Sequence, residues 1–569
     1  MDDTFDVIVV GVGIFGLQAA RTYLDLHPEA KLLALEAYEH AGGVWGKSRW
    51  YPGFWTQGGY GLMEWSDRPF GDLPKDHNCY LFKAEYVIDY IEKYLDSHVY
   101  NGKSLRDRIR CSFSVDSVSK MPEGLWSISG HSNKPNEPQE TTVYKARKVM
   151  IASGFTSIPS IPNFKNDNFS GRIIHSSNFG READTILATA PKKHISVLGG
   201  GKSAADMVYA AAKAGHDVNW IIRKHGSGPG LFAVPSKMGK YNNPTEIMMT
   251  RAGTTLSPSH FGKPNLWTRF VHGTWLGRWL LLNIFHMIGQ DSIKKAGFDS
   301  NEKALEGFNK MKPEANEFWL NAAVGMVQVE DFWPTIAEKV HVYRNDISHL
   351  ASDGIHLEDG PVIPCDIFLL GTGFKEEYPF FDAAEHTRLG LSHPPTSNAE
   401  QDEWLSLQEE ADKEIISRFP MLARGPGFQK TPRVTPFRLY NAIASLSDPT
   451  IVFLGCVSLV NMFAGAEWQA LWASAYLDGN IELPSKEEMK KQIAMDNQWS
   501  RRRYPFYGET SGICFDMECV LYGDRLLKEL GCTSHIDGLS GWQYWTKVNF
   551  ANQYKGVMGE YVANLKKQN

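Results

Sequence analysis

The chain has few cysteines and pairs none of them. Its seven, Cys79, Cys111, Cys365, Cys456, Cys514, Cys519 and Cys532, are scattered over 569 residues, and none lies in a CxxC pair. This pattern excludes a disulfide framework and a thiolate metal centre; no metal site is expected, and a reducing, cytoplasmic setting is. A basic block is also missing. Net charge is −6, with acids and bases intermixed along the chain, which argues against nucleic acid as a partner. No basic-then-apolar leader opens the sequence, and the last residues, Asn564 to Asn569, are polar; neither a signal peptide nor an anchor is expected. The apolar run from Trp275 to Ile288 is interrupted by Arg278 and His286. It falls short of the roughly 20 residues that span a bilayer, so no transmembrane segment is expected. A buried or lid helix is the first reading of that run, and a helix lying on a membrane surface the second.

What is present is ordinary in bulk: 43% hydrophobic and 22% charged residues, the balance of a soluble globular chain of two to four domains. Seventeen tryptophans are many, and several fall between 265 and 335; they either line an apolar pocket or pack a core.

Two glycine-rich turns carry the chemistry: Gly11-Val12-Gly13-Ile14-Phe15-Gly16 and Gly199-Gly200-Gly201-Lys202-Ser203-Ala204. Residues 5–10 form a short, β-branched apolar run, the pattern of a buried parallel strand. A helical period follows from 17 to 26, then a strand from 31 to 35 that ends at Glu36. The second turn has the same setting, with strand 194–198, helix 203–214 and strand 217–222. In such a turn the first glycine makes the bend, the second admits the pyrophosphate and the third lets helix and strand pack. Free N–H groups at the helix start face the phosphates. Gly11, Gly13, Ile14, Phe15 and Gly16 are therefore expected to hold one dinucleotide, with Glu36 on its ribose hydroxyls. Gly199, Gly201, Lys202, Ser203 and Ala204 are expected to hold another. Arg223, not a carboxylate, ends the second strand. An arginine pairs with a 2′-phosphate that a carboxylate would repel, so NADPH is favoured over NADH, with Lys202 and Lys224 assisting. Two dinucleotides in one chain imply a flavin and a nicotinamide, FAD and NADPH.

The strand Met150–Ala152 closes in Ser153-Gly154, and a matching ending occurs at Gly371-Thr372-Gly373. These two endings read as crossings between a flavin domain and an inserted nicotinamide domain. The expected fold is α/β, with two Rossmann-like dinucleotide-binding domains, a helical insertion and a C-terminal helical extension. The expected boundaries are 1–155 and 371–485 for the FAD domain, 156–370 for the NADPH domain with its insertion at about 240–325, and 486–569 for a polar, mostly helical extension.

Three further motifs give a family resemblance. Gly42-Gly43-Val44-Trp45 follows Glu36. Thr56-Gln57 is followed by Met63 and Asp67. Phe169-Ser-Gly171-Arg-Ile-Ile-His175-Ser176-Ser-Asn-Phe179 matches FxGxxxHxxxF between the two turns. Together they resemble the flavin-containing monooxygenases, within the class B flavoprotein monooxygenases. Later stretches, Phe453-Leu-Gly455 and Glu467-Trp-Gln469-Ala470-Leu-Trp472, extend the likeness, which covers roughly 1–235 and 325–485. The resemblance implies that Gly43, Val44, Trp45, Thr56, Gln57, Met63 and Asp67 lie at the flavin, and that His175, Ser176, Gly371, Thr372 and Gly373 belong to the cofactor sites. Gln57 stands where the family usually has asparagine beside the C4a-oxygenated flavin, which makes it the one catalytic candidate.

The implied reaction uses NADPH to reduce the flavin and O2 to oxygenate it, then transfers one oxygen atom to a small molecule. Phe179, where a Baeyer–Villiger member usually has tryptophan, leans toward N- or S-oxygenation of a small metabolite such as an alkaloid, as in fungal secondary metabolism. Baeyer–Villiger oxidation, epoxidation and simple peroxide production from NADPH stay open. A flavin disulfide reductase is excluded because no cysteine lies between Gly11 and Cys79. Substrate identity is expected to reside in the insertion, and a homodimer is left open.

Overall fold

The strand Thr4–Val10 is the middle of a parallel array. It pairs with Leu32–Leu35 on one side and Thr142–Ile151 on the other. Ile109–Arg110 extends the array beyond the first neighbour and Ile451–Phe453 beyond the second, both parallel. Val7, Ile8 and Val9 have no exposed surface, which is why the run reads as continuously apolar: both faces of a parallel sheet are covered. The helix Ile14–Leu26 packs on the late helix Met462–Leu477. The computed structural model describes residues 4–568 apart from 136, 227, 263, 320–325, 427–433 and 508–511.

A second sheet holds five parallel strands in the order Arg172–His175, Ile367–Leu370, His194–Leu198, Asp217–Ile222 and Val340–Arg344. The chain enters and leaves it side by side. Ile158–Pro159 pairs antiparallel with Phe374–Lys375, the Ser160 amide donates to the Gly373 carbonyl at 3.0 Å, and the Thr372 hydroxyl donates to the Ser160 carbonyl at 2.6 Å. The two crossings thus form one short two-stranded bridge between the sheets.

The segment after Asn243 is helical: Pro244–Met248, Arg251–Thr254, Leu266–Gly273 and Trp275–Ala296. Thr274 caps the last of these by accepting from the Gly277 amide at 3.0 Å. The tryptophans of this region divide between surface and core. Trp267, Trp275 and Trp279 are exposed, and Trp333 packs on Phe298 and Phe332 in the core of the second sheet.

The C-terminal extension is helical but is not a polar appendage. Its helix Cys519–Glu529 packs on Met462–Leu477, and Val520, Tyr522, Leu526 and Leu527 have no exposed surface. The polar composition that marked this stretch belongs to the outer faces of helices whose inner faces complete the core of the first sheet. All seven cysteines are free thiols.

Candidate active site

Both turns depend on close backbone approach. Gly11 has φ +91°, and a Cβ there would stand 2.5 Å from the Ala152 carbonyl oxygen. Gly199 has φ +134°, and a Cβ there would stand 2.2 Å from the Gly371 oxygen. Each turn therefore rests its first glycine on a residue that ends a crossing strand. At Gly16 the obstacle is internal, since a Cβ would meet the Gly11 oxygen at 1.9 Å. Neither following helix has an acidic residue in its first turn or a side-chain cap. Their leading N–H groups are left for an anion, which the helix dipole also favours.

The first turn opens on a cavity of about 880 Å³, within the range of ligand and cofactor pockets. Gly11, Gly13, Ile14, Phe15, Glu36, Gly43, Val44, Trp45, Gln57, Met63 and Lys202 all contribute to its wall. One cavity thus touches both nucleotide turns, Lys202 being the first helical residue of the second. Asn461 is a further wall residue. Its Oδ1 caps Met462–Leu477 by accepting from the Ala464 amide at 3.1 Å, and its buried Nδ2 has no partner among the described residues. A turn shut to a Cβ at Gly11 and Gly16 but open at Gly13, uncapped helix starts and an orphaned donor together fit a dinucleotide.

Glu36 is buried, and the turn itself fixes its orientation. One carboxylate oxygen accepts from the Val12 amide at 2.8 Å, the other from the Tyr38 amide at 2.9 Å. Burial raises its pKa, while these bonds and Arg49 oppose the rise. A carboxylate offers about four acceptor positions, so these bonds do not use up its capacity.

Arg49, which no motif singled out, also faces the cavity. Its guanidinium donates to the Thr156 carbonyl at 2.6 Å and lies over the Phe374 and Tyr38 rings. Burial lowers its pKa, and it enters no ion pair among the described residues. A desolvated cation of this kind suits a phosphate. Its only sequence mark was a position four residues beyond Trp45.

Gln57 lies in the wall, but both ends of its amide are engaged. Nε2 donates to the Val327 carbonyl at 3.0 Å and Oε1 accepts from the Val327 amide at 2.8 Å. Thr56 stands outside the cavity wall; its hydroxyl accepts from the Phe82 amide at 3.1 Å and pins the loop. Asp67 is also outside, because its charge is consumed elsewhere. His98 Nε2 lies 2.7 Å from it, Arg21 3.4 Å, and the Tyr94 hydroxyl donates to it at 3.0 Å. These cations and hydrogen bonds hold its pKa down against burial.

His175 serves the bridge between the sheets, with Nε2 2.9 Å from the Gly373 oxygen and Nδ1 3.1 Å from the Ser177 hydroxyl; burial lowers its pKa. The neighbouring Ser176 hydroxyl is buried and has no partner among the described residues. Gly201 caps the second helix and Ser203 and Ala204 lie in its first turn, with Ala204 packed against Gly371.

Arg223 is exposed just past the strand end and forms no ion pair among the described residues. Lys224 is different: it pairs with Asp359, and that partner takes the charge it was expected to lend. Lys202 lies 2.5 Å from Asp206, which also accepts from the Tyr51 hydroxyl at 2.6 Å.

The remaining wall comes from the return strand and the extension, and includes Glu376, Glu377, Tyr507 and Asp516. Glu376 accepts from the Gly512 amide at 2.7 Å, and Asp516 from the Ser458 hydroxyl at 2.9 Å. None was visible as a motif, because they meet only through folding of distant segments.

Comparison with known proteins agrees with this geometry. A family model described as L-lysine 6-monooxygenase/L-ornithine 5-monooxygenase matches residues 92–230. The FAD-dependent monooxygenase resA of Aspergillus sclerotiorum is 31% identical over 98% of both chains. FAD-dependent monooxygenase DEP4 of Fusarium langsethiae is 30% identical over 98% of this chain and 95% of its own. A more distant relative is the N-oxide-forming dimethylaniline monooxygenase 2 of Oryctolagus cuniculus, 23% identical over 92% of this chain and 82% of its own. In fold, the chain is similar to cyclohexanone monooxygenase from Rhodococcus sp. Phi1 bound to NADP+, with TM-score 0.59, 17% identity, and coverage of 93% of this chain and 97% of that one. Likeness to resA along nearly the whole of both chains, joined to two glycine turns on one cavity, means that this chain belongs to the FAD-dependent monooxygenases, in the class B flavoprotein family.

Proposed function

We propose that the protein uses FAD, NADPH and O2 to place one oxygen atom on a nitrogen or sulfur of a small metabolite, with a basic amine such as an alkaloid the favoured class. The observation that carries this reading is the single cavity whose wall includes both Gly11 to Phe15 and Lys202. Cofactors bound at the two turns share that space, as transfer between them requires.

FAD, when bound, supplies the redox and oxygen chemistry; the chain supplies binding, orientation and a dry wall. The amides opening the helix Ile14–Leu26 hold a pyrophosphate, and Glu36 holds a ribose. Arg49 places positive charge beside a phosphate, while Lys202, paired with Asp206, brings the second turn to the same wall. Beyond its two bonds to Val327, Gln57 turns its second N–H to the Thr56 carbonyl at 3.5 Å and keeps one lone pair, which can accept from a polar edge of the flavin ring. Apolar residues Leu454, Val457, Leu459 and Phe463 of the wall exclude water.

The carboxylates Glu376, Glu377 and Asp516 in the same wall favour an ammonium-bearing molecule over an acidic one. Such a substrate releases its proton before nitrogen acts as the nucleophile. The N-oxide-forming relative and Phe179 at the end of its motif support the same choice.

The test is product analysis with NADPH, O2 and parallel panels of tertiary amines, thioethers and cyclic ketones. Addition of one oxygen to an amine or thioether, with matching NADPH use, is the expected result. A lactone from a ketone would replace heteroatom oxygenation by Baeyer–Villiger oxidation. NADPH use that yields peroxide alone on every panel would leave an oxidase.

A further inference from the structure

The helix Trp275–Ala296 is apolar on two opposite faces. Leu281 and Phe285 point inward and are buried, and Phe285 meets the edge of Phe318 with ring centroids 5.6 Å apart. Gly277 lets the preceding helix approach, since a Cβ there would stand 2.1 Å from the Phe270 carbonyl. The other face repeats at i, i+4, i+9 and i+12. Trp275 is 73% exposed, Trp279 56%, Ile284 43% and Met287 69%. The preceding helix Leu266–Gly273 adds Leu266 at 85% and Trp267 at 52%. A helix stretch apolar on both its inner and outer sides is normally buried on both, and a contiguous apolar patch at a protein surface marks a contact surface.

Charge and residue type indicate what covers it. From Leu266 to Gln290 the only charged side chains are Arg269 and Arg278, and the last turns of the helix add Asp291, Lys294 and Lys295, which leaves the hairpin net basic in a chain whose net charge is −6. Arg278 is held at the junction of the two helices, where it donates to the Gly273 carbonyl at 3.0 Å. Tryptophans with arginines between them are the composition of the boundary between lipid headgroups and acyl chains. Among the described residues no helix is long and apolar enough to cross a membrane, so the hairpin lies in such a layer and does not span it. From the C-terminal extension, Trp545 joins Thr268 and Arg269 in lining one surface cavity. A second copy of this chain is a poorer cover. A two-fold contact sets a patch against itself, and here it would bring arginines together, since the one acid of the helix, Asp291, lies near its far end and pairs with Lys295 at 2.6 Å.

We propose that this helical hairpin docks the enzyme on an anionic lipid surface. The insertion is rooted beside the catalytic cavity, since the Thr245 hydroxyl donates to the Gln57 carbonyl at 3.2 Å. An enzyme so docked takes lipid-dissolved substrates close to the membrane.

The test is vesicle flotation of the full-length flavoprotein with phosphatidylcholine vesicles and with phosphatidylcholine–phosphatidylserine vesicles. Wild type is expected to float with the anionic vesicles, about tenfold more than with neutral ones, from the pull of two arginines. Trp275→Ser, Trp279→Ser and Met287→Ser combined are expected to lower flotation to background, and Arg269→Glu to remove the anionic preference. Flavin content and turnover of a water-soluble amine stay unchanged in these variants, since none of the positions lines the cofactor cavity. Absence of flotation with both vesicles overturns the proposal. So does a dimer in light scattering that the triple variant dissolves, which would assign the patch to a second copy.

Discussion

The Gln57 side chain clasps the Val327 peptide from both ends, donating to its carbonyl at 3.0 Å and accepting from its amide at 2.8 Å. The two residues are 270 positions apart, and Val327 is buried. Val327 belongs to the short strand Met326–Val327 that pairs with Phe232–Ala233 beyond the second turn. Gln57 therefore ties the wall of the cavity at the first turn to a segment that pairs just beyond the second. The extra methylene that separates glutamine from the family's usual asparagine is what lets one amide reach this peptide.

Gln57→Leu should leave the Val327 N–H and C=O without partners, each costing about 1–3 kcal/mol when buried. The expected outcome is near-normal FAD content, a lower melting temperature and less product per NADPH consumed. Gln57→Asn, one methylene shorter, should keep one bond at most and fall between. Thermal melts followed by flavin fluorescence, together with product-to-NADPH ratios, check this. If stability and coupling are both unchanged in Gln57→Leu, the clasp has no role in holding the site.

The first turn should discriminate sharply between its glycines. A methyl at Gly16 would meet the Gly11 carbonyl at 1.9 Å, whereas at Gly13 the nearest atom is the Gly43 Cα at 3.7 Å. Backbone oxygen in the middle of a turn cannot yield, so Gly16→Ala should yield protein without bound flavin. Gly13→Ala should fold and retain much of it. Gly13→Asp, which sets a carboxylate at the phosphate position, should lose it again. Visible absorbance of the purified variants is the measurement.

Much of this architecture is legible in the sequence because burial on both faces leaves a plain signature. The strand expected at 5–10 is Thr4–Val10, and the one at 194–198 is His194–Leu198. The first helix begins at Ile14, three residues before its apolar period starts, because turn residues already have helical backbone. Long-range pairings left no such mark. Asp67 sits in a flavin motif, yet Arg21 of the first helix and His98, just past the helix Ala84–Ser97, claim it. Arg49 is a lone loop arginine until folding sets it over Phe374. Composition could not tell a tryptophan facing the core from one facing outward on a helix with apolar residues on both sides, and Trp275 and Trp279 proved to be outside.

Cofactor choice should rest on Arg223 and not on its neighbour. Arg223 is free of ion pairs among the described residues, while Lys224 is held by Asp359. Losing a charge-assisted bond to a 2′-phosphate costs about 1.5–3 kcal/mol, roughly tenfold or more in affinity. Arg223→Ala should raise the Michaelis constant for NADPH by that factor and leave NADH nearly unchanged. Lys224→Ala should change both little. An equal loss for both nucleotides in Arg223→Ala would show that the arginine does not read the phosphate.

The joint between the insertion and the C-terminal extension should make stability depend on pH. Glu518 is fully buried, accepts from the Ser257 hydroxyl of the insertion at 3.2 Å and from the Tyr504 hydroxyl at 2.6 Å. Burial pushes its carboxyl up to about 7 from an ordinary 4.5, although the Arg503 guanidinium opposes the rise. Between those two values the folded chain holds a proton that the unfolded chain releases. This contribution is therefore complete below about pH 4.5 and is lost as pH rises through 7. A tenfold difference in proton affinity between folded and unfolded chain is worth about 1.4 kcal/mol, so the total is on the order of 3 kcal/mol. Glu518→Gln keeps an acceptor for the two hydroxyls and cannot ionise. Melting temperature should fall between pH 5.5 and pH 8 by more in wild type than in Glu518→Gln, and at pH 8 the variant should match or exceed wild type. A variant less stable than wild type at pH 8 would mean that Arg503 keeps Glu518 ionised, and that the pair acts in the fold as a buried ion pair.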